Sequence, residues 1–109
     1  GMLGLETALA LTLTELVEPG VLTLRDALAL LSWRPAAIAG VSDRHGRPVA
    51  PGEAANLCVF DPSSRWEVDA ARLASKARNT PYTGRKLTGR VRHTVVRGVA
   101  TVVDGEAKA

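Results

Sequence analysis

The sequence has one cysteine, two histidines and an aromatic share of only 4% in 109 residues, and each scarcity removes a class of protein. A lone Cys58 cannot close an internal disulfide, which excludes a disulfide-stapled secreted scaffold. Its neighbours Leu57, Val59 and Phe60 predict a buried strand position, an unreactive thiol and a reducing, cytoplasmic setting. No apolar run reaches the roughly 18 residues of a membrane span, so a membrane is not an expected partner. The amino terminus also lacks the charged-then-apolar order of a signal peptide.

The shortage extends to groups that do chemistry. A catalytic zinc site needs about three protein ligands converging on one ion. His45 stands between Arg44 and Gly46 in turn-forming sequence and reads as an exposed loop residue; His93, between Arg92 and Thr94, reads as a surface or half-buried strand histidine. Neither is expected to bind metal, and no cofactor is expected on this chain. Cys58 has no base near it in sequence and no serine sits in a Gly-x-Ser-x-Gly elbow, so nucleophilic catalysis has no carrier. The glycines at 84 and 89 fit neither a Walker loop nor a dinucleotide fingerprint.

Acid is missing from Ala70 to Val103, a stretch that carries Arg72, Lys76, Arg78, Arg85, Lys86, Arg90, Arg92 and Arg97 within a net formal charge of +3. Such asymmetry can attract nucleic acid. Sheets that bind RNA also need exposed aromatics to stack bases, and the closing strands here have none. A solvated basic face is expected, and nucleic acid is not.

What is present fits one small domain. A barrel of eight strand-helix units needs roughly 250 residues, so none is complete here. Leu3, Leu5, Leu9, Leu11, Leu13, Leu16 and Val17 surround a first helix on several faces, ended by Glu18-Pro19-Gly20. Thr23 is placed to cap a second helix, with Asp26 three residues on and Leu24, Ala27, Leu28 and Leu31 at helical spacing. Pro35 starts a third helical turn that Gly40 ends. Residues 41 to 51 have turn chemistry and mark an internal boundary. Beyond them the pattern predicts short strands over 56–60 and 66–68, a helical turn over 70–74 capped by Asp69, and an ordered loop over 79–88. It ends in a hairpin of 91–96 and 99–103 turning at Arg97-Gly98, with a further turn at Asp104-Gly105 and fraying residues after it. The order of helices first and strands later is α+β.

Two blocks carry a family resemblance. Ser75-Lys76-Ala77-Arg78-Asn79-Thr80-Pro81-Tyr82-Thr83-Gly84, followed by Leu87-Thr88-Gly89-Arg90-Val91, resembles the closing signature of dihydroorotases, and Gly1-Met2-Leu3-Gly4-Leu5-Glu6-Thr7 resembles a second signature of that family. Trp33-Arg34-Pro35-Ala36 with Ile38-Ala39-Gly40 is similar to an amidohydrolase turn in which Arg34 replaces the usual Asn, and the run from Gly46 to Pro62 looks like the strand re-entering the small domain.

The resemblance implies a carboxy-terminal segment of a cyclic amidohydrolase. Residues 1–40 would be helices from the end of its (β/α)8 barrel, and residues 41–109 antiparallel strands of its small β-sandwich. It implies that the Gly1 main chain approaches the dihydroorotate ring. The parent reaction would be the reversible cyclisation of N-carbamoyl-L-aspartate to dihydroorotate in pyrimidine biosynthesis, with zinc-activated water. The family's His-x-His pair, bridging lysine and catalytic aspartate have no counterparts here, so the isolated chain is expected to be inactive. It is expected to pair with the missing barrel portion or with itself. An allantoinase or hydantoinase tail is the nearest rival; a non-catalytic partner subunit or basic nucleic-acid-binding module is the alternative of another class.

Overall fold

The computed structural model describes residues 1–108. Helix α1 (Ala8–Thr12) runs on through a wider π turn at Leu13–Val17, where the amide of Glu18 reaches back five residues to the carbonyl of Leu13 at 2.9 Å. Pro19 and Gly20 then end it, and the amide of Leu22 bonds the carbonyl of Leu16 at 2.9 Å to start the return. Helix α2 (Leu24–Leu28) begins as its sequence predicts, with the Thr23 hydroxyl accepting from the amide of Asp26 at 3.1 Å. A second π turn (Ala29–Trp33) leads into α3 (Arg34–Ala39), which has Pro35 in its first turn. Gly40 ends it at φ +73°, and the amides of Gly40 and Val41 take carbonyls of the last turn.

Residues 41–56 form no regular element. After them come four antiparallel strands paired in chain order: β1 (Leu57–Glu67), β2 (Lys86–Val96), β3 (Val99–Val103) and β4 (Glu106–Ala107). Helices followed by an antiparallel sheet make the α+β order that the sequence predicts.

The structure corrects several boundaries. The two short strands expected over 56–60 and 66–68 are one strand, because pairing with β2 survives register shifts between Val59 and Phe60 and between Asp61 and Arg65. The second bulge takes up Pro62, which has no amide to give to a ladder, and the Asp61 carboxylate accepts from the amide of Ser63 at 2.8 Å. β2 begins at Lys86, inside the span expected to be a loop. The turn after Asp69 is shorter than expected, a 3-10 turn at Ala70–Arg72, with the Asp69 carboxylate accepting from the amide of Ala71 at 3.0 Å. Cys58 is exposed rather than buried, and so is Val59 on the opposite face of β1, so this end of the strand is left open on both sides.

The closing hairpin forms as expected. Arg97 and Gly98 take φ of +47° and +80°, and Asp104 and Gly105 take +51° and +81°, the paired left-handed geometry of two-residue hairpin turns. The final residues do not fray at once: Glu106 pairs with Val103, and the amide of Lys108 donates to the carbonyl of Thr101 at 2.8 Å.

The core lies between α1 and β2. Ala10, Val68 and Leu87 are buried together, with Leu11, Trp66 and Tyr82 packed around them. Leu13 is buried over Gly89, while Leu5, Leu16, Leu30, Leu31, Trp33 and Ile38 are exposed. The first helix, apolar on several faces in sequence, is therefore covered mainly on the side that meets β2.

Candidate functional site

The two blocks singled out in the sequence, Gly1–Thr7 and Ser75–Gly84, lie far apart along the chain and meet in space. The amide of Leu3 donates to the carbonyl of Asn79 at 2.8 Å, and the side-chain amide of Asn79 donates to the carbonyl of Gly1. Three residues on from Leu3, the Glu6 carboxylate accepts from the amide of Ala74 at 3.1 and 3.0 Å, one bond to each oxygen, and from that of Ser75 at 3.4 Å. Thr7 is buried, its hydroxyl and amide both turned to the carbonyl of Gly4, which folds the segment into the start of α1. Two strips of chain with no core of their own are thus held edge to edge by polar groups.

The loop from Leu73 to Gly84 is braced from within. The Arg78 guanidinium donates to the carbonyls of Leu73, Ser75 and Ala77. The amide of Tyr82 bonds the Thr80 hydroxyl at 3.2 Å, and Val68 exchanges main-chain bonds with Gly84 and Arg85 at 2.8 and 2.9 Å. Tyr82 packs on the core, so its ring anchors the loop to the sheet. Sequence reasoning marked these residues as a signature but missed the clamp by Glu6, whose partners are main-chain amides that leave no trace in residue identity.

Gly1 is exposed, and a Cβ placed at Gly1 or Gly4 meets nothing within 4 Å. No atom of this segment demands glycine at either position.

The basic stretch is interleaved with acids from elsewhere in the chain. Arg85 pairs with Glu15, Arg90 stands opposite Asp61 and Lys86 opposite Glu67 across the β1–β2 ladder, and Arg92 lies 3.9 Å from Asp104. A second polar cluster braces residues 41–56: Arg47 grips Glu53 through two 2.7 Å bonds and also donates to the carbonyl of Ser42. That hydrogen-bonded pair holds the Glu53 carboxyl below the usual glutamate range and raises the Arg47 guanidinium. Asn56 ties the same segment to the hairpin, its side chain accepting from the amide of Arg97 at 2.8 Å.

The candidate metal ligands stay dispersed. His45 is exposed in the 41–56 segment, and the Nδ1 of His93 accepts from the amide of Asp104 at 3.2 Å. Among the described residues no three His, Cys, Asp or Glu side chains come together as a metal-holding group. The donor set required by a hydrolytic zinc ion is not met by these side chains. Partial desolvation pushes the Cys58 thiol up. No helix among the described residues is long and apolar enough to cross a membrane.

Helices followed by an antiparallel sheet in this arrangement superpose on part of solved hydantoinases. The L-hydantoinase of Arthrobacter aurescens superposes with a TM-score of 0.88 at 32% identity, covering 100% of this chain and 24% of its own. A D-hydantoinase from a Thermus species gives 0.85 at 27% identity, over 95% of this chain and 22% of its own. In sequence the chain is similar to part of dihydroorotases. It is 50% identical over 106 residues to the dihydroorotase of Streptomyces coelicolor and 45% identical over 109 residues to the dihydroorotase of Mycobacterium tuberculosis. These alignments take in 97% and 100% of this chain but only 24% and 25% of the relatives, so the chain spans about a quarter of their length. No protein-family model matches it.

Proposed function

We propose that this chain is the closing segment of a dihydroorotase-type amidohydrolase. On this reading residues 1–40 supply helices that finish the catalytic barrel, and residues 41–109 supply strands of the small sandwich domain. The observation that carries it is the meeting of the Gly1–Thr7 and Ser75–Gly84 blocks through Asn79 and Glu6, together with the extent of identity to dihydroorotases.

The parent reaction is reversible closure of N-carbamoyl-L-aspartate to dihydroorotate, with zinc as its metal and the cytoplasm as its setting. The zinc ligands and the proton-transferring carboxylate belong to the preceding portion of the polypeptide, and this segment alone is inactive. Its own contribution is positional. With no Cβ, Gly1 lets a main-chain group come up to a planar ring. The exposed leucines of the helices have the missing barrel, or a second copy of the chain, as their cover.

The hydantoinase alternative is favoured by one observation, the high structural overlap with L-hydantoinase. Segment exchange separates the two readings from outright failure. The chain is put in place of the matching residues of the Streptomyces coelicolor dihydroorotase, and ring opening of dihydroorotate is assayed. Retained turnover is expected. A folded, zinc-loaded exchange enzyme that leaves dihydroorotate untouched overturns the proposal.

A further inference from the structure

We propose that Asn79 is a positioning residue for substrate, fixing where the Gly1 main chain faces the ring; the inference rests on the dihydroorotase reading above. A glycine has no side chain to anchor it, so its main chain can be placed only by bonds to its own peptide groups. Asn79 makes one such bond and a second two residues on, in opposite senses: its side-chain amide donates to the carbonyl of Gly1, and its carbonyl accepts from the amide of Leu3. Together they hold Gly1 to Leu3 as a short ladder would.

Asn79 is itself held. Glu6 binds the amides of Ala74 and Ser75 at the start of its loop, and Arg78 next to it fixes three loop carbonyls. Each restraint is exposed or partly so and buries little apolar surface, and what the loop delivers outward is the grip on Gly1 and Leu3. Asparagine suits the position because it joins a donor to a short, stiff stem. Aspartate has the same shape but sets a negatively charged acceptor against the Gly1 carbonyl.

The test uses the zinc-loaded exchange enzyme and steady-state kinetics on dihydroorotate. Asn79→Asp is expected to raise KM about 5- to 10-fold with kcat held within about two-fold, since the contact it sets is made alike with substrate and transition state. Asn79→Gln, which keeps the donor, should recover part of the loss. Thr14→Val removes a hydrogen-bonded link between the π turn after α1 and β2 that makes no bond to Gly1 or Asn79, and should lower the melting temperature while leaving KM unchanged. An Asn79→Asp enzyme with unchanged KM, or a KM shift no larger than that of Thr14→Val, overturns the positioning role and leaves the dihydroorotase reading standing. An unsubstituted exchange enzyme that is folded, zinc-loaded and inert overturns both.

Discussion

Leu13 occupies the space that any side chain at position 89 would need: a Cβ built on Gly89 falls 2.4 Å from the Leu13 Cδ1. Gly89 also holds φ +104°, a conformation other residues rarely adopt, and its carbonyl accepts from the Trp66 indole at 2.7 Å. Helix and sheet therefore approach as closely as they do because one residue of β2 has no side chain. Gly89→Ala should cost about 3 kcal/mol from strain and overlap together. Leu13→Ala alone should cost about 2–5 kcal/mol through the cavity it leaves. Because it also relieves the overlap, the double variant should be more stable than the sum of the two losses implies, and denaturant titration of all four proteins measures that coupling.

The cap of α2 makes a smaller and cleaner prediction. Thr23→Ala removes the acceptor for the amide of Asp26, and should cost about 1 kcal/mol. Thr23→Ser should be close to neutral. Thermal unfolding followed by circular dichroism distinguishes them.

Acid should loosen the 41–56 segment before it unfolds the rest. Glu53 has its carboxyl lowered by the hydrogen bond to Arg47, so its contribution is complete above the ordinary glutamate pKa. It is lost as pH falls through the lower value of the folded state. Arg47 stays charged throughout that range. Amide exchange at Arg97, whose amide rests on Asn56, should quicken in that window. In Glu53→Gln that dependence on pH should disappear.

Cys58 should react slowly for an exposed thiol. Desolvation raises its pKa, leaving little thiolate at neutral pH. Alkylation by iodoacetamide should accelerate as pH rises past the ordinary thiol range. A fast reaction that is flat between neutral pH and that range would contradict the assigned environment.

Local rules made part of this structure legible. The Thr23 cap, the Gly40 stop of α3 and the Arg97-Gly98 turn follow from the backbone preferences of single residues, and each is observed; Pro35 starts nothing, because the helical run continues through it from the π turn before. What escaped was set by partners distant in sequence. Pro62 suggested a strand end, but a bulge against β2 carries the strand past it. Cys58 sits in an apolar run that suggested burial, yet what covers a strand face is not written in the strand. The site was legible as two signature blocks; the Glu6 and Asn79 bonds between them were not, because main-chain partners have no identity to read. The acid-free stretch misleads in the same way, since Glu15, Asp61, Glu67 and Asp104 reach it only in the fold.

The purified chain should carry no stoichiometric zinc and show no turnover of N-carbamoyl-L-aspartate. Metal analysis and a coupled assay on the same preparation check this. Turnover that co-purifies with this polypeptide alone would contradict it.

The most direct measurement is the intact mass and activity of the natural polypeptide that contains this sequence in its source cells. The account predicts a chain about four times the 11.5 kDa of this segment, in proportion to the 24% of the relative that it spans, and able to open dihydroorotate. A natural 11.5 kDa product with no barrel-bearing partner, or a full-length enzyme that hydrolyses hydantoins and ignores dihydroorotate, would contradict it.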